Sequence, residues 1–184
     1  IPLRLVGSEM CIRDRIESAE NPDIRLIGSG AILRESIRAK SILDTYNIKS
    51  EVWSVTSFNL LRKDGMEVER FNQLNPDLDE KISYVEECFD GKSIPVIAST
   101  DYMRSYAEQI RPYIKAKYNV LGTDGYGRSD SREMLRGFFE INASSIVRAS
   151  AYSLFKEGTI DKKQLDIIYN DMGVDPSKPN PWEV

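Results

Sequence analysis

The segment Gly122-Thr123-Asp124-Gly125-Tyr126-Gly127-Arg128-Ser129-Asp130-Ser131 gathers glycines, carboxylates, hydroxyls and an arginine directly ahead of a stretch with helical period. Free amides at a helix start can hold an anion with Arg128 as counter-charge, although Asp124 and Asp130 oppose one electrostatically. A plainer reading makes Asp130 the N-cap of that helix, with Glu133 three residues on in a capping-box-like arrangement and the serines as further caps. A third sets Asp124, Arg128, Ser129, Asp130 and Ser131 against a neighbouring domain or subunit. All three ask the glycines for a shaped backbone.

A second turn, Gly28-Ser29-Gly30, follows an apolar run and has the first two glycines of a dinucleotide fingerprint, but Leu33 stands in the place of the third. Such a site also wants an acid at the end of the second strand, and Glu51 lies at its beginning. A tight turn is the simpler reading. Glu67 with Glu69, Glu86 with Glu87, and Asp77 with Asp79 lie in polar surroundings and read as solvated surface. Cys88 sits beside Phe89 with nothing nearby to depress its pKa, so it reads as a structural thiol. Trp53, Phe58, Phe71, Phe138 and Phe139 read as core.

Composition narrows the chemistry further. The 184 residues contain no histidine, so histidine-based triads and zinc sites drop out, and a net charge of −4 gives no electrostatic reason to bind nucleic acid. Two cysteines are too few for a secreted disulfide scaffold, which leaves the cytoplasm as the default compartment, and no apolar run reaches the ~18 residues of a membrane span.

The elements that must position these residues alternate. A strand over Ile24 to Ile27 feeds a helix from Ala31 to Tyr46, ended by Asn47. Val52, Trp53 and Val55 form a second strand. Phe58 to Phe71 is helical in pieces, broken at Asp64-Gly65. A short helix from Tyr84 to Phe89 precedes a strand over Ile94 to Ala98. Tyr102 to Ile114 is helical by period, and Val120-Leu121 is a short strand before the glycine-rich loop. Helices over Ala143 to Phe155 and Asp161 to Met172 follow, then an extended proline-containing tail. Strand and helix alternate about four times, the pattern of an α/β fold with a mostly parallel sheet. Residues 1–15 lack a clean period, and Leu5 to Arg15 looks like translated adapter read-through. Residues 1–15 are therefore set aside as a non-native leader, Cys11 with them, and 16–184 are taken as one domain.

Four segments in this order resemble the C-terminal region of the homodimeric bacterial pyruvate dehydrogenase decarboxylating component. They are Leu26-Ile27-Gly28-Ser29-Gly30 with Ile32-Leu33-Arg34, Trp53-Ser54-Val55-Thr56-Ser57-Phe58, Ala98-Ser99-Thr100-Asp101-Tyr102-Met103, and Val120 to Glu133 continuing through Leu135-Arg136 and Phe139-Glu140. The resemblance runs from about Ile24 to about Pro181. Some members of that family carry histidine between the positions of Arg136 and Phe139, where this chain has Gly137 and Phe138.

The resemblance implies that 16–184 are a transketolase-like C-terminal domain, a three-layer α/β sandwich with a mostly parallel, about five-stranded sheet that serves dimer assembly. It implies missing N-terminal and middle domains that hold thiamine diphosphate and magnesium between them, and a dihydrolipoyl acetyltransferase component as partner. This chain by itself would then bind no cofactor or metal and decarboxylate no pyruvate, and its catalytic residues would lie outside it. Asp124, Arg128, Ser129, Asp130 and Ser131 would lie at the C-terminal edge of the sheet near the active-site mouth. A free-standing assembly or interaction domain and a small nucleotide-binding α/β protein are the alternatives.

Overall fold

A computed structural model describes residues 14–89 and 93–183, so the segment set aside as a leader, Cys11 included, lies almost wholly outside the described residues. Five strands form one sheet: β1 (Asp14–Glu17), β2 (Ile24–Gly28), β3 (Ser50–Ser54), β4 (Val96–Ser99) and β5 (Tyr118–Leu121), in the order β1-β3-β2-β4-β5. The pairs β2·β3, β2·β4 and β4·β5 are parallel, and only β1 runs antiparallel, against β3. The mostly parallel, five-stranded sheet is therefore as the sequence suggests. Strand β1 was not expected, because four mostly polar residues carry too little alternation to read.

Seven helices are described: α1 (Leu33–Thr45), α2 (Phe58–Leu74), α3 (Tyr84–Phe89), α4 (Arg104–Glu108), α5 (Arg132–Phe138), α6 (Ala143–Lys156) and α7 (Lys162–Asp171). The pleat sends alternate strand residues to opposite faces, and here both faces are covered. Leu26, Val52 and Ile97 pack with Ala39 and Leu43 of α1, Ile146, Val147 and Leu154 of α6, and Ile168 of α7. Ile27, Trp53, Val96 and Ala98 pack on the other side with Phe58 and Leu61 of α2, Val85 of α3 and Ala107 of α4. Each fully buried Leu, Ile or Phe contributes about 1.5–3 kcal/mol, so two such layers hold the sheet rigid beneath its loops.

Two helices differ from expectation. Helix α2 is continuous through Asp64 and Gly65, both buried. A Cβ on Gly65 would overlap the Tyr113 ring, so the glycine clears space for an aromatic rather than breaking the helix. The Asp64 carboxylate meanwhile accepts from the Tyr84 amide at 2.7 Å, joining α2 to the start of α3. The helix expected over Tyr102 to Ile114 shrinks to α4 and a separate 3-10 turn, Arg111–Tyr113, because Pro112 lacks the N–H that a continuing helix needs.

Candidate functional site

The loops after β2, β4 and β5 emerge together at the carboxyl edge of the sheet. Strand β2 has β3 on one side and β4 on the other, so successive connections diverge there. Crevices in open α/β sheets form at such a switch point.

The glycine-rich loop follows β5 directly and is pinned at its first half only. Thr123 N–H donates to Tyr102 O at 2.9 Å and its hydroxyl to Asp101 O at 2.9 Å. The Asp124 carboxylate accepts from Arg104 N–H at 3.0 Å, and Arg104 Nε donates to Val120 O at 2.9 Å. Gly122 lies so close to the β4 loop that a Cβ there would stand 2.7 Å from Tyr102 O, which explains the residue. From Gly125 to Met134 the chain is exposed, Tyr126 at 87%. Arg128 lies over the Phe138 ring at 4.1 Å.

The helix cap is displaced by one residue from the expected place. Ser131 is the N-cap of α5, its hydroxyl accepting from Met134 N–H at 3.3 Å, while the Asp130 carboxylate accepts from Ser131 N–H at 2.6 Å. Helix α5 has seven residues and buries none of them, so Phe138 and Phe139 are not core. They meet edge to face at 5.0 Å on a half-buried surface beside Arg128.

Between these loops lies a cleft of 510 Å³ whose walls include Ile32, Asp101, Arg128, Arg132, Arg136 and Ile141. One of its walls, Arg136, is held by a residue that no local pattern singles out. Glu35, in the first turn of α1 and 4% exposed, accepts from Arg136 at 3.0 Å, from Arg38 at 3.2 Å and, through its other oxygen, from Ala143 N–H at 3.1 Å. One carboxylate thus ties α1, α5 and the first turn of α6. A buried acid between Leu33 and Ser36 carries no local signal, because two of its three partners lie 101 and 108 residues away.

The C-terminal residues form a strap on the opposite side of the loop. Lys178 Nζ pairs with Glu140 at 3.2 Å and donates to Gly137 O at 3.0 Å, and Glu140 also accepts from Arg148 at 2.6 Å. The Trp182 ring lies 5.8 Å from the Arg104 guanidinium, and its backbone seals Gly125, whose φ of 103° favours glycine. Burial pushes the Glu140 carboxyl up, but the hydrogen bonds and charges of Arg148 and Lys178 outweigh it and hold the group below the ordinary carboxylate range.

The other candidates are structural. Gly28 brings α1 against β2, since a Cβ there would stand 2.5 Å from Leu33 Cα. Glu51, buried, pairs with Arg25 across β2 and β3 at 2.5 Å and with Arg15 of β1 at 3.7 Å, so it faces no ribose. Glu86 accepts from the Ser83 amide and hydroxyl, both at 2.9 Å, at the start of α3. Burial pushes the Cys88 thiol up, which suits an unreactive side chain. Magnesium with a diphosphate needs converging oxygen ligands. Among the described residues no group of three or more His, Cys, Asp or Glu could hold a metal ion, so the residues present do not fit that group.

Comparison with known proteins agrees with this architecture. The model of the transketolase-like TK C-terminal domain matches residues 14–142. A pyruvate dehydrogenase E1 component of Pseudomonas aeruginosa is 49% identical over 96% of this chain but only 20% of its own length. Those of Cupriavidus necator and Escherichia coli K12 are 42% and 43% identical over 94% and 98% of the chain and 19% and 21% of theirs. This chain therefore spans about a fifth of the length of these relatives. Solved transketolases of Pichia stipitis and Leishmania mexicana share the fold at TM-scores of 0.54 and 0.53, covering 79% and 76% of this chain and 18% and 17% of theirs at 16% identity.

Proposed function

Because the chain belongs to the transketolase-like C-terminal domain family, we propose that it is the C-terminal domain of a pyruvate dehydrogenase E1 component. The observation that carries the reading is identity of 41–49% over most of this chain to proteins of that name, each about five times longer. In that reading the domains that hold thiamine diphosphate and magnesium precede this one, and the cofactor supplies the electron sink for decarboxylating pyruvate. The whole enzyme passes the two-carbon unit to the lipoyl group of a dihydrolipoyl acetyltransferase and works as a cytoplasmic homodimer. No helix among the described residues is long and apolar enough to cross a membrane.

This domain's own part is assembly and the shaping of an edge. A rigid sheet presents Asp124, Arg128, Ser129, Asp130 and Ser131 toward a neighbouring domain or subunit near the active-site mouth. In support, the loop is exposed over its second half, and Tyr102, Met103, Tyr126 and Met134, all at least 60% exposed, surround it. An apolar rim of that kind suits a covered surface. A full-length enzyme carrying Arg128→Ala and Asp130→Ala is expected to lose at least about tenfold in pyruvate turnover or in dimer affinity, the loss of one or two charge-assisted contacts. Unaltered turnover and dimerisation would remove the loop from this role.

A further inference from the structure

The glycine-rich loop offers an anion a better place than its sequence suggests. Asp124 and Asp130 oppose an anion on paper, yet neither lines the 510 Å³ cleft. Asp124 is turned to Arg104 N–H and faces the strap, and Asp130 is occupied by Ser131 N–H. What lines the cleft is a row of arginines four residues apart, Arg128, Arg132 and Arg136, with Asp101 as the one carboxylate. Glu35 neutralises Arg136 from behind. Among the described residues Arg128 and Arg132 have no carboxylate partner: Arg128 rests on an aromatic ring, and both are exposed.

We propose that this cleft binds a small carboxylate joined to a short apolar body, with Arg128 and Arg132 as its charge partners. The chemistry of the walls selects that class. Planar guanidinium forks pair with carboxylates in two parallel hydrogen bonds. Ile32, Leu135, Phe139 and Ile141 supply an apolar wall that a fully hydrated phosphate would leave unmatched. The volume lies within the range of small-molecule sites, and the position is the switch point where open α/β sheets take ligands. Asp101, the one carboxylate in the lining, disfavours a second negative charge and so sets a preference for a monoanion.

Every residue that lines the cleft belongs to this chain, so binding is tested on this chain alone. Backbone amide shifts of the chain are followed while sodium pyruvate is added, with neutral pyruvamide as the uncharged match. Saturable shifts at Ala31, Asp101, Gly127 and Arg128 with a dissociation constant on the order of millimolar are expected for pyruvate. They should weaken at least about tenfold in the Arg128→Gln/Arg132→Gln double variant, whose side chains are at the surface and leave the core signals unmoved. Shifts of equal size with pyruvamide, shifts unchanged in the double variant, or no saturable shift each overturn the site. Repeating the titration on the longer polypeptide identifies the source of the carboxylate. Retained binding there assigns it to a free small molecule, and binding confined to this chain assigns it to a side chain of an adjoining domain.

Discussion

Glu35 shows how one side chain can carry a site that its neighbours in sequence do not announce. Its carboxylate is buried and has three donors on three elements. Removing the charge from a buried, fully bonded acid leaves its partners unsatisfied, which costs more than the pair itself is worth. Glu35→Gln is therefore expected to lower stability by about 2 kcal/mol, read as a lower urea midpoint at unchanged slope. The comparison variant is Arg38→Gln. The Arg38 side chain is 70% exposed, and losing its bond to the same acid should cost no more than about 0.5 kcal/mol. Equal effects would mean that Glu35 does not organise this corner.

At the scale of elements, the strap and the loop are coupled through few contacts. Lys178 grips the end of α5 and Glu140, while Trp182 closes Gly125, so the strap touches the loop at Gly125 and the far end of the helix that follows it. The sign of its pH dependence follows from the lowered pKa of Glu140. A carboxylate whose folded value is depressed stabilises the fold fully above its ordinary value, and that contribution is lost as pH falls through the depressed one. Glu140 faces Arg148 of α6 and Lys178 of the strap. The strap should thus release below the ordinary carboxylate range, before the core unfolds. The chain has two tryptophans, so Trp53→Phe leaves Trp182 as sole fluorescence reporter. An acid shift in its emission is expected and should vanish in Glu140→Gln; a transition that persists there would assign it to another group.

At the scale of the whole molecule, the sheet was legible because Ile24 to Ile27, Ile94 to Ala98 and Val120-Leu121 are short apolar runs separated by helical periods, and such alternation permits few topologies. Helix boundaries were legible where a cap is local, as at Asp161, whose carboxylate accepts from Gln164 N–H at 2.8 Å. Legibility failed where a distant residue decides. Gly65 looks like a break until Tyr113 is seen against it, and Phe138 and Phe139 look like core until α5 is found to bury nothing. The glycine-rich loop stood out by composition, but which of its charges face the cleft depends on Arg104 and Ser131 binding the two aspartates.

The proposal that joins these scales is that the chain is the C-terminal domain of a larger, thiamine-dependent enzyme. Sequencing the source DNA upstream tests it most directly. The account predicts an in-frame continuation of roughly 700 residues, several domains' worth, that includes a metal-binding and thiamine-binding motif. A start codon immediately before Ile24, with no such continuation, would contradict it and leave an assembly domain that works without a catalytic partner.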